Sequence, residues 1–216
     1  IHENGDQIYR VSAVRQFGNN VARYGYASLP LGETISKTFP DVGQSSRYLR
    51  SQSNFKIEDE LFPANLTYVD PEFFNMFSFD LMAGTLEDLN DKTSLCISQE
   101  MARRLFGSVP GALGKTVTQV YGNELKELKV SAVFAEPAMN SSFYRQEGSA
   151  YINFENYKDE FPQFRSDDWR NECTLFIHIQ HPSRKSTLHH QLHPYIQNNN
   201  KLTQHFQVTA FALDSF

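Results

Sequence analysis

Two hydrophobic periods alternate along this chain, and the switches between them are abrupt. Gln7 to Arg15 (QIYRVSAVR) places Tyr9, Val11 and Ala13 on one side and Ile8, Arg10 and Ser12 on the other, the alternation of a strand. The next stretch, SLPLGETISKTFP, spaces Leu31, Ile35 and Phe39 four residues apart. That spacing predicts a helix with one apolar stripe, capped at Ser28, carrying Pro30 in its first turn and stopped by Pro40. Val42 to Leu49 then reads as a second strand, so the chain opens as β-α-β.

The middle is richer in strands. Leu66 to Val69 reads as a strand and runs into VDPEFFNMFSF, where Asp70 and Pro71 can open a short helix anchored by Phe73, Phe74 and Phe77. Aromatics this dense are read as core. SLCIS is a strand, and Ser98 caps QEMARRLF, with Glu100 early, Arg103 and Arg104 late and Gly107 as the stop. Gly122-Asn123 suits a tight turn between the strands of KTVTQVYGNELKELKVSAVF. Residues 135–142 read as a loop, and 148–157 hold a strand. CTLFIHIQ is a strand, a helix is expected from about Ser183 to Ile196, and QHFQVTAFAL closes the chain as a strand. Leu188, Leu192 and Ile196 form the buried stripe of that helix, and Pro194 kinks or shortens it. The fold class is α+β in two parts, with a strand-rich middle set into an α/β frame.

Composition narrows the function. The 216 residues are 40% hydrophobic, with 18 Phe and 10 Tyr, enough to build a core. A net charge of −5 and no basic stripe argue against a nucleic-acid partner. No apolar run approaches the roughly 18 residues that span a bilayer, and the first residues do not form a signal peptide. Ile1-His2-Glu3 reads as an internal start, so a piece of a longer protein is expected. Cys96 and Cys173 read as two buried free thiols, with a disulfide left open by sequence. Asn65-Leu-Thr and Asn140-Ser-Ser match a glycosylation pattern that is common by chance.

Motifs that imitate chemistry fail on spacing. FGSVPGALGKT ends in Gly114-Lys115-Thr116, the right half of a phosphate-binding loop, yet the required left-hand glycine falls on Val109, and Pro110 removes a donor. His189 and His193 stand four apart on the expected helix, a metal-binding spacing, but His190 occupies the position of the glutamate base in zinc proteases. Exposed histidines with no site are the preferred reading, ahead of adventitious metal binding. Glu58-Asp59-Glu60 and Asp167-Asp168 read as solvated loop charge, and Trp169 as a packing anchor that could also meet a ligand beside Asp168 and Arg170. No nucleophile elbow is present. No catalytic, cofactor-binding or metal-ligating residue is assigned, and no cofactor is expected.

The pieces that fail as enzyme motifs fit elsewhere, in order. NGDQIYRV (Asn4 to Val11), VDPEFFNMFSFDLMAGTL (Val69 to Leu86), SLCISQEMARRLFG (Ser94 to Gly107), GALGKTV (Gly111 to Val117) and LKVSAVFAEPAMNSS (Leu128 to Ser142) resemble the MacB-like periplasmic domain. This is the extracytoplasmic region between the first two membrane helices of FtsX/MacB-type ABC transporter permeases, and the likeness is greatest to the long permeases of Bacteroides-like bacteria. Tyr157 to Asn171 matches nothing in that pattern.

The resemblance implies a porter-like α/β subdomain from residues 1–62 and 137–216 and an inserted strand-rich subdomain over 63–136; Pro63 and Pro137 flank that insert, and hinges are expected near them. It implies that the glycines of the GALGKTV region shape a turn and bind no nucleotide. It further implies a non-catalytic periplasmic domain of an inner-membrane protein that couples cytoplasmic ATP hydrolysis to movement outside the membrane, for export or envelope work. Its partners would be its own flanking membrane helices, a second permease half or copy, a separate cytoplasmic ATPase and a periplasmic or outer-membrane protein. Two competing expectations stand beside it: a free-standing extracytoplasmic module binding a ligand in a cleft between its parts, and a metal-dependent hydrolase resting on His189 and His193.

Overall fold

Residues 5–163, 167–202 and 205–215 are described by a computed structural model. The chain opens with β1 (Ile8–Phe17), β2 (Asn20–Tyr24), β3 (Ala27–Ser28), α1 (Leu29–Thr38) and the long strand β4 (Val42–Ile57). β5 (Glu60–Val69), α2 (Phe73–Met76), β6 (Leu81–Gly84), β7 (Ser94–Ser98), α3 (Gln99–Phe106) and α4 (Val109–Ala112) follow. Then come β8 (Thr116–Tyr121), β9 (Glu124–Phe134), β10 (Ala150–Asn153) and α5 (Glu155–Glu160). β11 (Glu172–Ile179), α6 (Lys185–Leu192), α7 (Ile196–Asn200) and β12 (Gln207–Ser215) complete it.

Local chemistry explains most of these boundaries. Ser98 accepts a hydrogen bond from Met101 N–H, and Gly107 closes α3 in the left-handed conformation at φ 77° with its N–H on the Arg103 carbonyl. A cap of the Ser98 kind contributes about 1 kcal/mol. Ser28 precedes α1 as expected but does not cap it, because its hydroxyl donates to the Trp169 carbonyl at 2.6 Å and pairs with the Asn199 side-chain amide at 2.5 Å. Pro194 divides the expected 183–196 helix into α6, a 3-10 turn at His193–Tyr195 and α7. Leu188, Leu192 and Ile196 are buried across that break. Pro71 opens only a single turn, with Phe73 N–H on the Asp70 carbonyl.

Two compact units emerge. The first comprises Ile1–Tyr48, Asn75–Phe77 and Phe161–Phe216, and the second Leu49–Phe74 and Ser78–Glu160. Within the first, β12, β1, β11 and the beginning of β4 lie side by side, all antiparallel, with Arg10 facing Phe176 on one side and Asp214 on the other. One sheet face, carrying Tyr9, Val11, Leu175, Ile177, Phe211 and Leu213, is covered by Leu31 and Ile35 of α1 and Leu188 and Leu192 of α6. β12 is the last strand on its side of the sheet. There Asn200 uses both ends of its amide on one residue, donating to the Val208 carbonyl at 2.9 Å and accepting from its N–H at 2.7 Å.

The second unit is built differently. Its strands bond in the sequence β4, β5, β10, β7, β9, β8, and β8 returns to β4 through Asn54–Val120, so the ladder closes on itself. β5–β10 and β7–β9 are parallel; β10–β7, β9–β8 and β8–β4 are antiparallel. β6 adds to the outer side of β9. Phe73, Phe74, Phe79, Phe134, Phe143 and Tyr151 form an aromatic cluster, with Phe73 stacked on Tyr151 at 5.5 Å and Phe79 edge-on to Phe134 at 5.2 Å. Each such pair contributes on the order of 1 kcal/mol beyond the area it buries.

The strand-rich unit therefore spans Leu49–Phe74 and Ser78–Glu160, beginning before and ending after the 63–136 insert expected from the resemblance. The physical reason is β4 and β5: residues 50–65 look like polar loop in sequence, yet they form a hairpin whose two-residue turn is Glu58-Asp59, with Glu58 at φ 53°. The hinge positions expected near Pro63 and Pro137 both fall inside this unit. Pro63 lies within β5, its carbonyl accepting from Arg104 Nη2 at 2.6 Å, and Pro137 is in the loop after β9.

Candidate functional site

The segment that imitates a phosphate loop spends its backbone donors on the protein. After α3 stops at Gly107, Ser108 caps α4 by accepting from Gly111 N–H at 3.1 Å. Gly114, left-handed at φ 77°, sends its N–H to the Val130 carbonyl at 2.8 Å, and Lys115 sends its own to Ala112 at 3.1 Å. Thr116 then begins β8. These groups cannot also converge on one phosphate, so the sequence expectation of a turn feeding a strand holds.

The other candidates resolve in the same direction. His189, His190 and His193 are exposed, and among the described residues no group of three or more His, Cys, Asp or Glu is placed to hold a metal ion. Cys96 and Cys173 are buried and not joined in a disulfide, and burial pushes the Cys96 thiol up to about 12, which leaves it a poor nucleophile at neutral pH. Asn65 Nδ2 donates to the carbonyls of Gln146 and Gly148, so this asparagine is structural. Asp168 departs from the solvated reading: it accepts from the Arg170 N–H at 3.0 Å and holds the Arg170 guanidinium through three contacts. Residues 164–166, in the stretch that matched no pattern, lie outside the described residues.

A polar cluster in the second unit runs from the buried Tyr68 out to the exposed Asp159. The Tyr68 hydroxyl donates to Glu160, Lys126 donates to Asn156, and Asp159 bridges Lys92 at 2.5 Å and Lys126 at 3.6 Å. Burial drives the Tyr68 phenol far above its ordinary range and raises Glu160, while the Lys92 hydrogen bond pulls Asp159 down. Tyr68 therefore keeps its proton at any physiological pH. The second unit also holds a concavity of about 580 Å³ between β6, the 3-10 turn at Leu86–Asn90 and β9, lined by Asp88, Asp91, Thr93 and Lys129 among others. Asp91 there is occupied by Thr93, whose N–H and hydroxyl both reach its Oδ1.

The more structured concavity belongs to the first unit. A cavity of about 530 Å³ is lined by Trp169, Arg170, Glu172, Asn199, Leu202, His205 and Phe206. Its chemistry comes from the loop before β11 and from the turn between α7 and β12. Trp169 packs against the core, stacked on Tyr195 at 6.2 Å with the rings 7° from parallel. Behind Phe206 lies the Arg15 guanidinium, 4.4 Å from the ring centroid and paired with Glu172. Burial raises Glu172 above the usual carboxylate range, opposed by Arg15. Sequence reading flagged Trp169, Asp168 and Arg170; it missed Asn199, Leu202 and Phe206, whose polar surroundings carry no local signal.

A search of curated proteins finds no match. The family model described as MacB-like periplasmic core domain matches residues 1–193. Among solved structures, the chain is similar to a domain of a protein described as a permease from Porphyromonas gingivalis, at 18% identity and TM-score 0.75, covering 100% of this chain and 92% of that one. It is similar to the extracellular domain of the noncanonical ABC-type transporter YknZ from Gram-positive bacteria, at 16% identity and TM-score 0.61, covering 94% and 99%. The periplasmic region of MacB from Actinobacillus actinomycetemcomitans matches at 14% identity and TM-score 0.64, covering 95% and 89%. At these identities the three likenesses establish a shared fold. With the family model covering most of its length, the chain belongs to the MacB-like periplasmic core domain family, a periplasmic domain of an ABC-type membrane permease.

Proposed function

We propose that this domain is non-catalytic and works as a mechanical element, passing the energy of ATP hydrolysis by a cytoplasmic ATPase into movement outside the inner membrane. Export or work on envelope components is the outcome, with membrane helices flanking the domain and a second permease half or copy beside it. The observation that carries this reading is the chain's path. Its beginning and end both belong to the first unit, and the second unit lies between them in sequence as Leu49–Phe74 and Ser78–Glu160, with Asn75–Phe77 returning to the first. Such a layout suits two stiff bodies joined at few chain crossings.

The reading is supported by what the candidate chemistry becomes when folded: a turn at Gly114, exposed histidines and buried thiols. The crossings at Tyr48/Leu49 and Glu160/Phe161 replace the prolines as the proposed hinges. Inserting Gly-Gly between Glu160 and Phe161 in the full-length permease should abolish transport while ATPase activity persists. Transport at the unmodified rate would remove the mechanical role.

A further inference from the structure

We infer that the surface formed by the 3-10 turn Pro182–Arg184 and α6 docks on the anionic face of a lipid bilayer, more tightly as pH falls. Between Glu172 and Asp214 the sequence holds no Asp or Glu, although the chain has 25 of them. Six of its seven histidines lie in that interval, with Arg184, Lys185 and Lys201. Folding gathers exposed members of this run. Leu188 and Leu192 fix the buried side of α6, which leaves His189, His190 and His193 exposed on the other. His189 and His193 are one turn apart and share a face, and the His189 and His190 rings stand 5.6 Å apart. His181 and Arg184 are exposed just before them.

Carboxylates on the neighbouring elements are already matched. Asp41 holds Arg184 at 3.1 Å, Glu33 of α1 pairs with Lys37, Asp214 of β12 accepts from Ser12 and Arg23, and Asp168 holds Arg170. Lys185 lies over Tyr9 of β1, 4.5 Å from the ring centroid, and His178 of β11 bonds Gln7. Asp6, in the turn before β1, is exposed and opposes this group with a single charge. Histidine gains its positive charge between about pH 8 and pH 5, so acidification charges the surface. The second unit has no histidine and gains nothing by the same route. The sheet sets this surface beside both chain ends: Tyr9 faces Ser215 at the end of β12, and Ile8 faces His178 near the end of β11, from which the turn and α6 follow. From Lys185 to His193 the helix rises only about 12 Å, close to the roughly 8–10 Å over which charges act in physiological salt. With the flanking membrane helices proposed above leaving from those ends, lipid phosphates lie within that reach. The inference rests on that placement and not on the coupling role.

Lipid binding is read on the chain alone and coupling only in the permease with its ATPase, so either can fail without the other. The 216-residue chain, mixed with vesicles of equal phosphatidylglycerol and phosphatidylcholine, should co-sediment at least about tenfold more tightly at pH 5.5 than at pH 7.5. Phosphatidylcholine vesicles alone should capture none of it, and about 0.5 M salt should release it. His189→Gln, His190→Gln and His193→Gln together should remove at least about tenfold of the binding at pH 5.5, since each charge held near the surface adds about fivefold. Lys56→Gln, Arg103→Gln and Lys115→Gln remove as many charges from exposed positions of the second unit and should leave binding unchanged. His189→Arg with His193→Arg should carry the tight binding up to pH 7.5, which tests the surface even where the glutamine variant fails to fold. Equal capture by phosphatidylcholine, a pH effect that survives the three glutamines, or an equal loss from the second-unit changes would overturn the assignment. So would an absence of capture at both pH values.

Discussion

The two units solve the problem of a sheet's edge in opposite ways. In the first, β12, β1, β11 and β4 make an open antiparallel sheet stabilised by helices laid on one face. In the second, the ladder from β4 round to β8 returns to its starting strand, and the enclosed space is filled by side chains such as Phe55 and Leu128, both fully buried. Closure satisfies backbone groups along the whole circuit, whereas an open sheet must protect its flank. The lesson is that stiffness has two sources here, hydrogen-bonded closure in one unit and helix packing in the other, and perturbations should respect that division.

The largest effect is expected from Phe73→Ala, which empties the centre of the aromatic cluster at a fully buried position and should cost the second unit about 3–5 kcal/mol. Arg15→Met, in the first unit, strands the Glu172 carboxylate and should cost about 2–3 kcal/mol, reduced from a fully buried pair because Glu172 remains 27% exposed. The two thiols read out each unit separately, since Cys96 lies in β7 and Cys173 in β11. Across a denaturant series, a thiol reagent should reach Cys96 first in Phe73→Ala and Cys173 first in Arg15→Met. If both variants expose both thiols at one denaturant concentration, the units unfold together and the division fails.

Acid sharpens the contrast further. Burial raises Glu160 in the second unit, so its contribution to stability is full below the usual glutamate range and is lost as pH rises through its folded value. Glu160→Gln should remove that loss, leaving stability at pH 4 little changed and raising it at pH 8. In the first unit burial pushes Asp214 up, but the Ser12 hydroxyl, Arg23 and Arg10 outweigh it and leave the group below its usual range. Its contribution is present above the usual aspartate range and disappears as pH falls, so Asp214→Asn should flatten the acid limb of unfolding. Urea titrations at several pH values separate the two. The smallest effect belongs to Lys37→Ala, which breaks a solvated pair with Glu33 at 3.4 Å and should change stability by under about 0.5 kcal/mol, vanishing in high salt.

Legibility in the sequence followed the reach of the interactions. α3 was readable end to end, because Ser98 and Gly107 act within one turn of the residues they terminate. The break at Pro194 was readable for the same reason. β2 was not, since Asn20, Val21, Ala22 and Arg23 are all exposed and carry no inward alternation. The distal half of β4 hid behind polar residues, although Phe55 within it is fully buried. Closure of the second unit rests on pairings such as Phe55 with Gln119 that no local period announces. The cavity was half visible: Trp169 and Arg170 stood out as a loop pair, while Asn199, Leu202 and Phe206 carry no local signal.

Asn200 has a consequence for life at high concentration in a crowded compartment. By occupying both main-chain groups of Val208 with one side chain, it presents any approaching strand with a terminus where a template would otherwise begin. The flank of β12 is thereby closed to recruitment at that point, and copies of the domain are kept from zipping together there. A chain carrying Asn200→Ala should sediment increasingly as oligomers as its concentration rises, while the present one stays dispersed.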